Sequence, residues 1–316
     1  MTPELEFHMV RWWLIPILLP LTLKPSDSRL NSMVSIVITA YNVCKWIEKA
    51  VSSALGQTHK DLEVIVVEDC STDNTREVLA GIDDERLRIV HNEKNVGAGE
   101  SRSRGIALAQ GEYIMLLDGD DWIDDDFVET LYAKAVEHNA EIVSGGIRIV
   151  NADGSWEAVS YGDCVLEGED KVFRYWGDRI VYLNNKLIHR NLHNKVPYCK
   201  RRFIEDTSVI IPMLYYANKV VYVDNVGYCY RMRENSLTHE GSVFKKALFR
   251  ALCAEDIIRF FEKNDKQYLE SHPFAAAYSR CLYEISQCKP TEAMIEPYRK
   301  EWTEFSLALL NRIVCG

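Results

Sequence analysis

The chain has 316 residues, enough for one large domain or a domain with an appended helical region, and its 47% hydrophobic residues can bury a sizeable core. A formal net charge of −10 argues against a nucleic-acid binder, because such proteins gather basic residues to displace the counterions around phosphates. Nine cysteines without a C-x-x-C pair fit reduced thiols, and a cytoplasmic setting, better than a disulfide framework.

Residues 1–32 differ in pattern from the rest of the chain. The apolar run 12–23 contains Pro16 and Pro20, which break a helix already too short to span a bilayer. Glu4 and Glu6 are the wrong charge for a signal peptide, and no small-residue cleavage site comes cleanly after the run. A signal segment, an interfacial segment carrying Trp12-Trp13, and an upstream extension before a start at Met33 are the three readings; we adopt the last.

From residue 34 the chain alternates strand and helix patterns. Residues 34–38 are a short β-branched run, after which Trp46, Ile47, Ala50, Val51, Ala54 and Leu55 recur at helical spacing. A strand is expected over 62–67, followed by the capping cluster Ser71-Thr72-Asp73-Asn74 before a helix. Residues 87–90 predict a strand, 97–109 a helix, 113–117 a strand, 127–138 a helix and 141–144 a strand. This alternation predicts an α/β fold with a mainly parallel, Rossmann-like sheet covered by helices on both faces. In such sheets ligands bind outside the carboxyl ends of the strands. Thr39-Ala40-Tyr41-Asn42, Glu68-Asp69 and Asp118-Gly119-Asp120-Asp121 each follow a strand, so the three clusters share one expected crevice.

The last cluster is the most informative. A buried strand runs straight into Asp118, Asp120 and Asp121, and unpaired buried carboxylates need a cation, a donor cluster or solvent. Hard oxygen ligands suit Mg²⁺ or Mn²⁺ with phosphate completing the shell, whereas the plainer reading is a solvated acidic turn.

Beyond residue 149 the pattern changes. Asn151-Ala152-Asp153-Gly154 is a turn signal between 146–150 and 156–160, predicting a hairpin. The stretch 179–204 holds seven basic residues and no acidic one, and reads either as a solvated charge run or as a surface facing phosphates, an anionic acceptor or the inner membrane face. His189 and His193 are spaced as helix ligands could be, but without a neighbouring carboxylate or Cys the pair reads as structural. Residues 243–261 and 292–314 are amphipathic and predict a helical C-terminal region.

These residues taken together resemble glycosyltransferase family 2, the inverting enzymes of the GT-A fold. The likeness runs from residue 33 to 238 through Val34-Ser35-Ile36-Val37-Ile38-Thr39-Ala40-Tyr41-Asn42, Ser53-Ala54-Leu55-Gly56-Gln57-Thr58 and Val66-Val67-Glu68-Asp69-Cys70-Ser71-Thr72-Asp73. It continues with Asn95-Val96-Gly97, Gly111-Glu112-Tyr113-Ile114, Asp118-Gly119-Asp120-Asp121, Asn185-Lys186-Leu187 and Glu205-Asp206-Thr207. Many members have Asp-Asp-Gly-Ser where this chain has Glu68-Asp69-Cys70-Ser71, and Ala-Arg-Asn where it has Ser101-Arg102-Ser103.

The resemblance implies a domain over 33–240, with a nucleotide-sugar half at 33–150, an acceptor half at 151–240 and helices over 241–316. It implies transfer of a sugar from a nucleotide diphosphate-sugar, a UDP-sugar above others, to a hydroxyl of a saccharide or lipid-linked saccharide in bacterial surface-polysaccharide synthesis. Asp69 would meet the base N–H, with Thr39, Tyr41 and Asn42 as polar and stacking walls; helix capping with Ser71 is the alternative for Asp69, and packing for Tyr41. Arg102 would pair with the diphosphate or a nearby carboxylate. Asp120, with Asp118 and Gly119 beside it, would hold Mn²⁺ or Mg²⁺, and Asp118 reaches the ribose in the other reading. Asp206 would take the acceptor's proton, a role compatible with capping a helix. Arg231, Arg233 and Ser236 would close over the diphosphate.

Three other functions compete. A dinucleotide-binding oxidoreductase fails because Gly97-Ala98-Gly99 puts Arg102 where a third glycine belongs and does not follow the first strand. A sugar nucleotidyltransferase would carry a basic, Gly-rich loop near the first strand, where only Lys45 stands. A non-catalytic sugar-binding module has no need of Asp118, Asp120 and Asp206.

Overall fold

A computed structural model describes residues 32–168, 171–172, 182–198, 206–233 and 242–315. Of the segment expected to be an upstream extension, 1–32, residues 1–31 lie outside them, as do Glu205 and Ser236.

The expected strands and helices of the first half are present. β1 (Val34–Ala40), β2 (Leu62–Glu68), β3 (Leu87–His91) and β4 (Tyr113–Asp118) are joined by α1 (Ile47–Leu55), α2 (Thr75–Ala80) and α3 (Ala98–Leu108). β5 (Trp122–Ile123) then leads to α4 (Phe127–His138) and β6 (Ile142–Ser144). The hairpin is β7 (Ile147–Val150) and β8 (Trp156–Val159), paired antiparallel around Gly154, whose φ of 84° is the left-handed conformation that the turn requires.

Sequence order stops tracking spatial order after β8. β9 (Cys164–Glu167), β10 (Lys186–His189), β11 (Lys219–Tyr222) and β12 (Tyr228–Arg231) were not legible as strands. They are only four residues long, and what makes them strands is pairing with distant segments. The large sheet runs β3-β2-β1-β4-β10-β6-β11-β9, and a second sheet runs β5-β12-β7-β8. β10 is antiparallel to β4 and β6, and β9 to β11, while the other pairs of the large sheet are parallel. The sheet is therefore mainly parallel, as expected, with two reversed strands.

Its strands are apolar on both faces, and alternate residues feed different cores. Val37, Ile65, Val67, Ile114 and Leu116 face one cluster, and Ile36, Ile38, Val64, Val66, Met115 and Leu117 the other. The first cluster also holds α6 (Asp206–Tyr216), which follows the short α5 (Arg190–Lys195), and the C-terminal helices α7 (Val243–Asn264), α8 (Lys266–Ser271) and α9 (Phe274–Cys288). The helix expected over 292–314 is interrupted: α10 (Glu292–Ile295) passes through a 3₁₀ turn at Glu296–Tyr298 into α11 (Arg299–Cys315). Pro297 in that turn has no N–H to continue an α-helical ladder.

No helix among the described residues is long and apolar enough to cross a membrane. Of the basic residues in 179–204, Lys186 is fully buried, Arg190 donates to the carbonyl of Gln110 at 3.0 Å, and the Lys195 ammonium lies 5.6 Å from the centre of the Tyr216 ring. Lys186 is thus no part of a charged surface; Arg179, Lys200, Arg201 and Arg202 lie outside the described residues.

Candidate active site at the carboxyl edge of the sheet

β1 lies between β2 and β4, so the ends of all three strands are neighbours. Register places Ala40 beside Glu68 and Thr39 beside Asp118, with about 4.8 Å between adjacent strands. The turn after β4 fits against β1 only because residue 119 is glycine: its N–H donates to the Thr39 carbonyl at 2.9 Å, and a Cβ there would come within 2.8 Å of that oxygen.

The three carboxylates after β4 each meet different donors. Asp118 Oδ1 accepts from Arg102 Nη2 at 2.8 Å and from the Thr39 hydroxyl at 3.3 Å, and its Oδ2 accepts from Asn184 Nδ2 at 2.7 Å. Burial opposes the charge on Asp118, but Arg102, Asn184 and Thr39 outweigh it and hold the carboxyl below its ordinary value. Asp120 Oδ2 pairs with Arg233 Nη2 at 2.6 Å. Burial and the charge of Asp118 push Asp120 up, against the pull of Arg233. Asp121 is buried beneath them, where Oδ2 accepts from the Tyr228 hydroxyl at 2.7 Å and Oδ1 from the Arg231 amide at 2.8 Å. The turn is thereby pinned to β12 of the second sheet.

Arg102, on α3, joins the two halves of the site. Its Nη1 donates to Asp206 Oδ1 at 2.7 Å, so one guanidinium bridges Asp118 and a residue 104 positions away at the start of α6. Asp206 Oδ2 also accepts from the Leu183 amide at 3.3 Å. Burial pushes Asp206 up; Arg102 counters this and Asp118 adds to it. The pairs that Arg102 makes are not surface salt bridges, since its side chain is 6% exposed.

Asp69 does not cap α2. That work falls to Asp73, whose Oδ1 accepts from the Thr75 amide at 3.0 Å. Asp69 instead gathers the loop before α3: Oδ1 accepts from Asn92 Nδ2 and the Val96 amide, and Oδ2 from the Gly97 amide, all at 2.8 Å. Gly97 has φ 92° and ψ 166°, a region closed to other residues, which accounts for a glycine in Asn95-Val96-Gly97. Oδ2 keeps room for one more donor. Asn42 Oδ1 accepts from the Thr72 amide at 2.8 Å, and Tyr41 stands 45% exposed at the mouth. Cys70 adopts φ 58°, the conformation that suits the glycine found here in the resembling sequences, and this strains a side-chain-bearing residue by about 1–2 kcal/mol.

The sequence-expected residues thus converge at one edge: Thr39, Asp118, Gly119 and Asp120 at β1 and β4, Asp69 one strand over, and Arg102 and Asp206 between the halves. Tyr228, Asn92 and Asn184 were missed. Tyr228 and Asn92 carry no local signal; Asn184 stands one residue before the Asn185-Lys186-Leu187 motif and could have been found by extending it. Among the described residues no group of three or more His, Cys, Asp or Glu side chains could cage a metal ion.

Residues 35–203, more than half of the chain, match the family described as Glycosyl transferase family 2. Glycosyltransferase GlyG of Streptococcus pneumoniae is 30% identical over 247 residues, covering 74% of this chain and 80% of that protein. The succinoglycan biosynthesis protein ExoO of Rhizobium meliloti is 28% identical over 223 residues, 65% of this chain and 62% of that one. Among solved structures, S. aureus TarS 1-349 in complex with UDP is similar in fold, with a TM-score of 0.66 and 20% identity over 89% of this chain and 82% of that one. A mainly parallel sheet with acidic residues at its carboxyl edge, a family match over most of that sheet and relatives of this kind lead to one conclusion: the chain is a glycosyltransferase of family 2.

Proposed function

We propose that this glycosyltransferase moves a sugar, with inversion, from a UDP-sugar to a hydroxyl of a saccharide or lipid-linked saccharide in the synthesis of a bacterial surface polysaccharide. The observation that carries this reading is the bridge Asp118–Arg102–Asp206, which joins the strand-end carboxylates to a second carboxylate across one guanidinium. TarS has been solved with UDP and with UDP-GlcNAc, and ExoO is a succinoglycan biosynthesis protein, which supports a UDP-sugar and a glycan product.

In this reading the uracil N–H donates to the spare position on Asp69, and Tyr41 covers the base. The diphosphate lies over the turn at residues 118–121, where Arg233, held 4.8 Å from the centre of the Trp46 ring, supplies a donor beside Asp120. Asp206, its carboxyl raised by burial, is the group suited to take the acceptor's proton, because a base works best with its pKa moved toward the operating pH. Inversion follows when that hydroxyl attacks the anomeric carbon from the face opposite the diphosphate.

A divalent cation fits this donor set. Among the described residues Asp120 is ion-paired through Oδ2 alone, and Mn²⁺ or Mg²⁺ commonly rests on one or two carboxylates with phosphate oxygens completing its shell. Asp118, whose oxygens are taken by Arg102, Thr39 and Asn184, is better placed as an anchor than as a ligand. When bound, the ion supplies positive charge to the departing diphosphate.

The test is a thermal-shift and titration screen of UDP, GDP and CDP sugars with and without Mn²⁺, since a ligand of the native state stabilises it in proportion to occupancy. UDP-sugars should raise the melting temperature most, and more with Mn²⁺. Equal response to all nucleotides would sink the UDP reading, and indifference to Mn²⁺ and Mg²⁺ the metal reading.

A further inference from the structure

Asn184 carries a feature that the reactions above leave unused. It is 7% exposed, its Nδ2 donates to Asp118 Oδ2 at 2.7 Å, and its Oδ1 is buried without a hydrogen-bond partner among the described residues. The orientation of the amide is fixed chemically: only the NH₂ end can face a carboxylate, so the carbonyl end must face elsewhere. A buried amide oxygen with no donor is an unfavourable arrangement that native structures keep for a reason.

Its location narrows the choice of donor. β10 pairs with β4 antiparallel, Leu187 facing Met115 and Ile188 facing Ile114, and the same register carried to the end of β4 sets Asn184 opposite Asp118. The next residue back, Leu183, donates its amide to Asp206. Asn184 therefore sits between the carboxylate at the end of β4 and the carboxylate of α6. Along the sheet edge the order is β2, β1, β4, β10. If the base is read at β2 and the diphosphate lies beyond β4, the part of the donor reaching β10 is the sugar.

We propose that Asn184 is a specificity-determining residue, whose Oδ1 accepts a hydrogen bond from one hydroxyl of the sugar being transferred. The inference rests on the reading that a UDP-sugar lies along this edge. Within the nucleotide-sugar, the diphosphate has no proton to give and the uracil N–H is assigned to Asp69, so the hydroxyls of the ribose and of the transferred sugar are the donors left; the acceptor's hydroxyl is assigned to Asp206. Asn184 offers that hydroxyl a fixed acceptor, because its amide is held by Asp118.

The experiment is a cycle between protein and ligand. The parent is whichever of UDP-glucose, UDP-galactose and UDP-N-acetylglucosamine binds the wild type most tightly, and its analogues replace each sugar hydroxyl in turn by fluorine. Binding is measured by titration calorimetry for the wild type and Asn184→Ala, with UDP and 2′- and 3′-deoxy-UDP as controls. One fluorinated analogue should lose about tenfold against the wild type and nothing further against Asn184→Ala; a change in UDP affinity from releasing Asp118 Oδ2 is common to every ligand and cancels in the cycle. Equal losses in both proteins for every analogue would overturn the proposal. So would a loss that fails to add on a deoxyribose control, which would assign Asn184 to the ribose. A wild type that binds no UDP compound would instead remove the donor reading, and this inference with it. Should Asn184→Ala not fold, Asn184→Ser, which keeps a donor toward Asp118, takes its place in the cycle.

Discussion

Arg102 stands between two carboxylates that differ in electrostatic balance. Asp118 has three donors and is held below its ordinary pKa, whereas Asp206 shares Arg102 with it, has one backbone amide besides and is pushed up by burial. One group is stabilised as an anion and the other is the better proton acceptor. Asp206→Asn keeps the size of the side chain and should leave UDP affinity nearly unchanged while lowering transfer by about 10² to 10⁴. Transfer at close to the wild-type rate, or a lowered melting temperature as the sole defect, would reduce Asp206 to a structural role. Lys186 offers a second test at this scale. Burial lowers its ammonium to about 7, against a smaller opposing pull from Asp206, and its Nζ donates to Asn185 Oδ1 at 2.6 Å. Between that value and 10.5 the unfolded chain binds a proton that the folded one does not. Lys186 therefore makes stability rise with pH across this window, by about 1.4 kcal/mol per pH unit, and takes that contribution away as pH falls to 7. Denaturant titrations from pH 7 to 10 should show this slope in the wild type and lose it in Lys186→Met. Asp118 and Asp120 were legible in the sequence because acidic residues at the end of an apolar run are conspicuous, whereas Asp206 was reached only through the family resemblance of Glu205-Asp206-Thr207. Tyr228 and Asn184 were not, because a tyrosine in a short strand and an asparagine in a polar stretch take their roles from partners 107 and 66 residues away.

At the scale of elements, periodicity revealed those whose apolar pattern is long enough to be read locally, from β1 to α4. It missed β9 to β12, and with β12 the strand that ties the expected hairpin of the second sheet to the acidic turn through Tyr228 and Arg231. α3 is the element on which the site depends most, since it carries Arg102 and lies against β1 and β2. Its close approach is made at Gly105, where a Cβ would fall 2.3 Å from Val37 Cγ1 and 3.2 Å from Val67 Cγ2. Alanine favours a helix by about 1 kcal/mol over glycine, but overpacking between a helix and a central strand costs about 1–3 kcal/mol. Gly105→Ala should therefore lower stability in urea and, by moving α3 outward, loosen the Arg102 bridge and weaken UDP binding. A stabilised Gly105→Ala with unchanged UDP affinity would show that the helix can give way at no expense to the site.

For the whole molecule, the C-terminal helices are not an appendage in the physical sense. Phe244, Leu248, Leu252, Phe261 and Phe274 belong to the same buried cluster as Val37, Ile65 and Leu116 of the large sheet. A cluster shared in this way couples the two parts, so the chain should unfold in one transition, with calorimetric and van't Hoff enthalpies in agreement. A chain ended after residue 240 should expose the apolar face of the sheet and aggregate or bind hydrophobic dyes. Two separate transitions, or a stable shortened chain, would show instead that the helices fold apart from the sheet. Amphipathic patterning revealed the helices near 243–261 and 292–314, but not α8 and α9 between them, nor that the apolar faces meet the sheet, because pattern records that a face is buried and not what covers it.

The placement of β10 also has a consequence for how the chain is made. β4 ends at Asp118, and the strand that pairs with its free edge starts only at Lys186, after β6 has already been synthesised. During translation at about 5–20 residues per second, β4 and β6 emerge seconds before the strand that separates them. Their unpaired edges could join directly, giving a closed sheet from which β10, Asn184 and the approach to Asp206 are excluded. Correct assembly depends on β4 and β6 staying apart until the later segment arrives, which makes the nascent chain most prone to misfolding after β1 to β4 and β6 have been made and before β10 has.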